Sequence, residues 1–90
     1  MVELFSSAFC APCRSARAVL ERAGALVPAL RVQEVDVAAD VERARAAAVT
    51  STPTLLVRDA AGAEVFRAAG VPTLPQLLVA LDRAGLTPGR

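Results

Sequence analysis

The sequence is poor in histidine, cysteine and aromatic residues. Its 90 residues include no histidine, tryptophan or tyrosine, and only two cysteines and three phenylalanines. Two thiols supply half of a four-thiolate zinc centre, and one chain without histidine cannot complete the set. With only 3% aromatic residues, the core has to be built from many small aliphatic contacts.

Charge and hydropathy exclude several classes of partner. The formal net charge is +1, and the basic residues are all scattered arginines, so there is no basic stripe for nucleic acid and no polybasic patch for a membrane surface. No apolar run approaches the roughly 20 residues that span a bilayer, and Met1–Phe5 lacks the features of a secretory signal. Two cysteines do not form the framework of a secreted domain. We therefore expect a cytoplasmic monomer that binds neither nucleic acid nor membrane.

The first half of the chain has the pattern of a strand, a helix and a strand. Val2–Phe5 is a short apolar run typical of a strand. Helical periodicity follows from Cys13, and Gly24 is the expected stop. The valine-rich segment Leu30–Val37 predicts the second strand.

The middle of the chain predicts a short helix and a hairpin. Asp40 can cap a helix that runs to about Ala48. Thr54–Val57 and Ala63–Arg67 are then two strand-like runs separated by turn residues.

The last helix has the clearest start signal. Thr73 with Gln76 three residues later forms a capping box, and Gly85 marks the end. The predicted order is β-α-β-α-β-β-α. It implies an α/β fold in which a four-stranded mixed sheet carries helices on both faces. Residues 1–86 form one domain, and residues 87–90 are expected to be a loose tail.

The two cysteines form a Cys-x-x-Cys at the expected start of the first helix. Two sulfurs about one helical turn apart can form a disulfide that closes a short ring, while one of the sulfurs stays accessible. A helix N-terminus stabilises an anion, which makes Cys10 the expected nucleophile. Pro12 suits the first turn. Cys13, one turn further in, is expected to resolve the mixed disulfide that Cys10 forms.

Three places in the chain give it a family resemblance. They are Cys10-Ala11-Pro12-Cys13 after the first strand, Thr52-Pro53-Thr54 at the head of the third, and Gly70 before the last helix. On these residues the chain resembles the thioredoxin family over nearly its whole length, at the compact size of glutaredoxins. The resemblance implies a thioredoxin-like fold and a thiol-disulfide oxidoreductase that needs no bound cofactor. Its partners would be protein disulfides and, as reductant, a thiol reductase or a low-molecular-weight thiol.

The resemblance also assigns roles to residues around the cysteines. It implies a Cys10–Cys13 disulfide and a cis peptide bond before Pro53, which would lie against the pair. Thr52 would offer its backbone N–H and C=O to an extended substrate segment. The residues expected to contact the substrate are Ala11, Pro12, Thr52, Ala69 and Gly70.

The chain also departs from the family pattern. Phe9 stands where thioredoxins usually have tryptophan, and Leu4 stands where they carry a buried acid that helps to deprotonate the resolving thiol. A lysine often lies near that acid, but here the nearest positions are Val32 and Glu34. Thr52 replaces the apolar residue common before the cis proline, and this change is expected to alter both the pKa of the site and its choice of partner. The absence of the usual acid and lysine predicts slower resolution than in a typical thioredoxin.

Other interpretations of the same residues remain open at this stage. The cysteines could be inert core residues or half of a shared metal site, and Pro53 could be an ordinary trans proline. Phe5 and Phe66 are expected in the core, and Phe9 either in the core or flanking the site. A glutaredoxin-like use of glutathione is disfavoured, since Pro12 replaces the usual tyrosine. The domain could also be a binding module that holds a peptide or a metal without turnover.

Overall fold

The computed structural model describes residues 1–89, which form four strands and three helices in the predicted order. In chain order the elements are β1 (Val2–Ser6), α1 (Ala11–Leu26), β2 (Val32–Asp36), α2 (Val41–Ala46), β3 (Thr54–Arg58), β4 (Glu64–Ala69) and α3 (Leu74–Arg83).

The strands form one mixed sheet in the order β2-β1-β3-β4. β1 pairs in parallel with β2 and antiparallel with β3, and β3 pairs antiparallel with β4. The predicted fold class is confirmed. Because β1 lies between two other strands, all five of its residues are buried. The loop after Ser6 therefore starts at the centre of the sheet and leads directly into α1.

Helices cover both faces of the sheet, and the alternation of side chains along each strand decides which face a residue enters. Leu4 belongs to the larger core, which α1 and α3 cover together. Its neighbour Phe5 enters a smaller core on the opposite face, with Ala44 of α2. Phe5 is fully buried as predicted. Phe66 is only half-buried, against the larger core.

Helix α1 is longer than predicted at both ends. It begins at Ala11 and continues through Gly24 to Leu26, so the prediction that Gly24 ends it is wrong. The helix ends where Val27 leaves the helical conformation, with φ −124° and ψ 84°, and a following proline disfavours helical angles at the residue before it. Pro28 and the complete burial of Val27 therefore set the boundary.

The other boundaries differ by a few residues. β2 is shorter than predicted, and α2 ends at Ala46 rather than near Ala48. Asp40 does cap α2, because its carboxylate accepts the N–H of Arg43 at 3.3 Å. β4 extends to Ala69, which brings this strand up to the predicted site.

Both ends of α3 form as predicted. The N–H of Gln76 donates to Thr73 Oγ1 (3.2 Å), and the N–H of Thr73 donates to Gln76 Oε1 (2.9 Å), which completes the capping box. Gly85 has a φ of +85°, and the N–H of Leu86 donates to the C=O of Leu81 at 2.8 Å. This is the glycine-terminated helix end in which a left-handed residue lets the next N–H turn back.

Residues 87–89 follow α3 without helix or strand, and the N–H of Gly89 donates to the C=O of Leu26 at 2.7 Å. Arg90, the last residue of the predicted tail, lies outside the described residues. Among residues 1–89, no helix combines the length and apolar character needed to cross a bilayer.

A buried carboxylate links three elements on the α2 side of the sheet. Glu3 on β1 accepts hydrogen bonds from Arg43 of α2 and Arg58 of β3, each at 2.5 Å. Burial alone raises the pKa of Glu3, but the hydrogen bonds and charges of Arg58 and Arg43 outweigh it, so its pKa lies below the ordinary value. The ionised form of Glu3 is therefore favoured by folding.

Candidate active site

Cys10 is the residue that caps the N-terminus of α1. It has extended backbone angles, and its Sγ accepts the N–H of Cys13 at 3.1 Å. This amide is one of those that the first turn of a helix leaves without a backbone partner. Pro12 lies in the same turn, where its missing N–H costs no helical hydrogen bond. The helix start thus presents donors and a positive dipole end to the Cys10 sulfur.

The two cysteines form a disulfide across a Cα–Cα distance of 5.2 Å. Their exposure differs. Cys10 is half-buried beside exposed Ala11 and Pro12, whereas Cys13 is fully buried under α1. Of the two sulfurs, only that of Cys10 is positioned for contact with a partner molecule.

Pro53 is buried, and the peptide bond between Thr52 and Pro53 is cis. The N–H of Gly70 donates to the C=O of Pro53 at 2.9 Å. Ala69 pairs with Thr54 at the end of the β3–β4 ladder. The segment after β4 is therefore fixed next to the segment before β3.

Thr52 connects this proline segment to the cysteines. Its Oγ1 lies 4.0 Å from Cys10 Sγ and 2.8 Å from Ser7 Oγ. Among residues 1–89, neither the N–H nor the C=O of Thr52 has a hydrogen-bond partner. A free donor and a free acceptor on one residue are what an added extended segment can pair with.

Phe9 is fully exposed, with a relative accessibility of 108%. It is also held at a positive φ of 58°, an uncommon conformation for a bulky residue. The expectation that Phe9 could belong to the core is wrong, and it flanks Cys10 instead. Its apolar ring faces solvent directly beside the accessible cysteine.

A cleft of about 330 Å³ opens next to Thr52. Its lining is mixed, with hydroxyl side chains and two valines: Ser7, Val37, Val49, Thr50, Ser51 and Thr52. This leaves room for part of a bound partner beside Ser7 and Thr52.

The position at which the family resemblance expects a buried acid is apolar. Leu4 is fully buried and pairs with Glu34 on β2. Glu34 accepts a bidentate hydrogen bond from Arg17 of α1, with the shortest contact at 2.7 Å, and another from Ser6 at 2.8 Å. The Arg17 hydrogen bond holds the pKa of Glu34 below its usual value. The carboxylate nearest to Leu4 in the strand pairing is therefore half-exposed and already paired with a cation.

Sequence reasoning missed Ser7, Arg17 and Ser6. Ser7 meets Thr52 only because β1 and β3 are adjacent in the sheet, and no local pattern signals a contact over 45 residues. The Arg17–Glu34 pair likewise depends on how α1 packs beside β2, which no local pattern signals.

The fold and the half-buried disulfide at a helix start define a thiol-disulfide oxidoreductase of thioredoxin-like architecture. The sequence matches the family described as Thioredoxin over residues 1–83. The chain belongs to the thioredoxin family.

Solved structures agree with this assignment. The chain is similar to the thioredoxin of Fasciola hepatica, with 30% identity and a TM-score of 0.76, over 92% of this chain and 78% of that one. It is also similar in fold to thioredoxin 1 of Thermosipho africanus, with 17% identity and a TM-score of 0.75, over 91% of this chain and 90% of that one. A thioredoxin of Nicotiana alata is similar in fold as well, with 24% identity and a TM-score of 0.80, over 92% of this chain and 70% of that one. A comparison with curated protein sequences gives no match.

Proposed function

We propose that this oxidoreductase reduces protein disulfides, with Cys10 as nucleophile and Cys13 as resolving thiol. The observation that carries the proposal is the asymmetry of the pair. Cys10 is half-buried and accepts the Cys13 N–H at the helix start, whereas Cys13 is fully buried. A thiolate is the attacking species in disulfide exchange, and a helix N-terminus favours it.

The reaction then needs two exchange steps. The Cys10 thiolate attacks one sulfur of the substrate disulfide, forms a mixed disulfide, and releases the other substrate sulfur as a thiolate that takes up a proton. Cys13 loses its proton and attacks Cys10 Sγ, which forms the Cys10–Cys13 disulfide and releases the second substrate thiol. Two electrons pass to the substrate. No further cofactor is required, and one chain supplies every group, so a monomer suffices.

Substrate docking is proposed at the surface around Cys10. The free backbone N–H and C=O of Thr52 support strand-like pairing with an extended segment. Ala69 and Gly70 lie at the end of β4, where Gly70 is hydrogen-bonded to Pro53. On the other side, Ala11 and Pro12 are exposed at the start of α1. A protein substrate would therefore lie across the Thr52 segment, with its disulfide over Cys10.

The direction of transfer follows from redox poise. A potential near that of thioredoxin, about −270 mV, would leave the site mostly reduced in a cytosol at roughly −280 to −320 mV. We therefore propose a cytoplasmic electron donor that a thiol reductase or a low-molecular-weight thiol regenerates.

Reduction of insulin disulfides, followed by turbidity with dithiothreitol or a thioredoxin reductase as electron source, tests the proposal. The wild type should accelerate reduction, and Cys10→Ser should abolish the acceleration. Cys13→Ser should instead accumulate a mixed disulfide with insulin. Failure of the wild type with both electron sources would contradict the proposal and favour a binding module. Activity with glutathione alone would favour the glutaredoxin-like alternative, and stoichiometric zinc in reduced protein would favour a metal site.

A further inference from the structure

Two hydroxyl groups connect in sequence to the sulfur of Cys10. Ser7 Oγ is 2.8 Å from Thr52 Oγ1, and Thr52 Oγ1 donates toward Cys10 Sγ across 4.0 Å. Ser7 comes from the loop after β1, and Thr52 comes from the segment before Pro53. The fold, rather than any local sequence pattern, brings the three side chains together.

The number of hydroxyl protons decides which of these groups donates a hydrogen bond and which accepts one. The threonine hydroxyl carries one proton, so Thr52 donates either to Ser7 or to Cys10. Within residues 1–89, Ser7 Oγ has no hydrogen-bond partner other than Thr52, which leaves the serine proton available for Thr52. When Ser7 donates to Thr52, the threonine proton is directed at the sulfur. A negative charge on Cys10 selects this direction, because both hydroxyl dipoles then point toward it.

We infer that Ser7 is a positioning residue for disulfide exchange, which holds the Thr52 hydroxyl as a donor to the Cys10 thiolate. Ser7 does not touch the reacting sulfur and acts only through Thr52. The inference rests on the proposed role of Cys10 as nucleophile. Its consequence is that the ionised, reduced form of the site is stabilised from outside α1, in addition to the amide that Cys13 donates from within it.

Few other titratable or charged side chains lie on the elements around Cys10, where they could also influence its ionisation. The titratable and charged side chains in the first turn of α1 are Cys13 itself and Arg14. Apart from Cys10 itself, the loop after β1, the segment before Pro53 and the segment after β4 contain no titratable side chain. Changes in the hydroxyl pair should therefore be seen directly in the ionisation of Cys10.

A double-mutant cycle on Ser7 and Thr52 tests the inference. The rate of Cys10 alkylation by iodoacetamide, measured against pH in the reduced full-length protein by mass spectrometry, gives the pKa of Cys10. Thr52→Val should raise this pKa by about one pH unit, as expected for loss of a hydrogen bond to a charged group. Ser7→Ala should raise it by about half a unit and should have no further effect in the Thr52→Val background. Ser7→Thr should keep the wild-type value.

Ser15→Ala is the matched control, because Ser15 is an exposed serine in α1 near the same cysteines. It should leave the pKa of Cys10 unchanged. As a second readout, Ser7→Ala should shift the equilibrium with glutathione at pH 8 toward the disulfide by about threefold, a lowering of about 14 mV.

Two results would overturn the role of Ser7. One is a Ser7→Ala effect of equal size in the wild-type and Thr52→Val backgrounds, and the other is no effect in the wild type. Either result can occur while insulin reduction by Cys10 is intact. Conversely, loss of the Cys10 dependence in the insulin assay would contradict the proposed function while the alkylation cycle still reported on Ser7.

Discussion

The N–H of Gly70 donates a hydrogen bond to the C=O of Pro53 across 2.9 Å, which joins the segment after β4 to the segment that carries Thr52. Gly70 adopts a φ of +124° to make this contact, a conformation that side chains with a Cβ rarely adopt. The geometry of the proposed docking surface thus depends on a backbone position that favours glycine.

Gly70→Ala should therefore affect both stability and activity. We expect a loss of about 1 kcal/mol in the free energy of unfolding, because alanine is strained at this φ, and a severalfold slower insulin reduction as the Thr52 segment shifts. Urea unfolding and the turbidity assay measure these effects. Gly24→Ala is the matched control, since Gly24 lies inside α1 with no atom within 4 Å of an added Cβ. It should stabilise the protein by about 0.5–1 kcal/mol without changing activity. Equal effects of the two substitutions would contradict this account.

Leu4→Asp tests the predicted slow resolution. An acid at this buried position should accept the Cys13 proton and speed release of the second substrate thiol at neutral pH, at a cost of about 3 kcal/mol in stability. Leu4→Asn buries a similar polar group that cannot take up the proton, so it should lose stability without the gain in rate. Stopped-flow measurement of thiol release compares the variants. A rate for the asparagine variant that matches the aspartate variant would contradict the role of a missing acid.

Glu3 gives stability a specific pH dependence. Its pKa is lowered in the folded state, so its contribution is present above the unfolded value near 4.5 and is lost as pH falls through the lowered pKa. Glu3→Gln should lower the free energy of unfolding by about 1–3 kcal/mol at pH 7. The difference from the wild type should shrink as the pH falls from 5 toward 2.

Glu42→Gln provides the control for Glu3. Its side chain is 86% exposed, and its ion pair with Arg45 is 3.5 Å long, so its removal should change the free energy of unfolding by less than about 0.5 kcal/mol. Chemical unfolding at several pH values measures both variants. A Glu3→Gln difference that stays constant from pH 7 to pH 2 would refute the assignment.

Phe9→Ala separates substrate contact from stability. Because the ring is fully exposed, its removal should change the free energy of unfolding by less than about 0.5 kcal/mol. It should raise KM for insulin by about 3- to 10-fold if the ring contacts the protein substrate, as exposed aromatic anchors do. Reduction of a small aliphatic disulfide should be unaffected. Parallel losses with both substrates would indicate an effect on Cys10 rather than on docking.

The sequence predicts the element order and the cysteine pair because these depend on local signals. Periodicity, the capping box at Thr73 and the spacing of Cys10 and Cys13 are each contained within a few residues. The end of α1 differs from the prediction because burial of Val27 and the restriction imposed by Pro28 outweigh the helix-breaking tendency of Gly24.

The surroundings of the cysteines could be predicted only in part. Only the family resemblance predicts that the segments at Thr52 and Gly70 belong to the site, since their proximity to Cys10 depends on sheet pairing. The contact between Ser7 and Thr52 and the Arg17–Glu34 pair depend on register and helix packing across the sheet. These relationships are long-range in sequence, and one sequence contains no local signal for them.

The most direct test of the central claim is the rate at which each cysteine of the reduced protein is alkylated as a function of pH, read separately by mass spectrometry of peptides. The account predicts that Cys10 reacts much faster than Cys13 at pH 7, with an apparent pKa below the ordinary value of about 8.5. Faster alkylation of Cys13, or equal rates with both pKa values near 8.5, would contradict the assignment of Cys10 as the nucleophile.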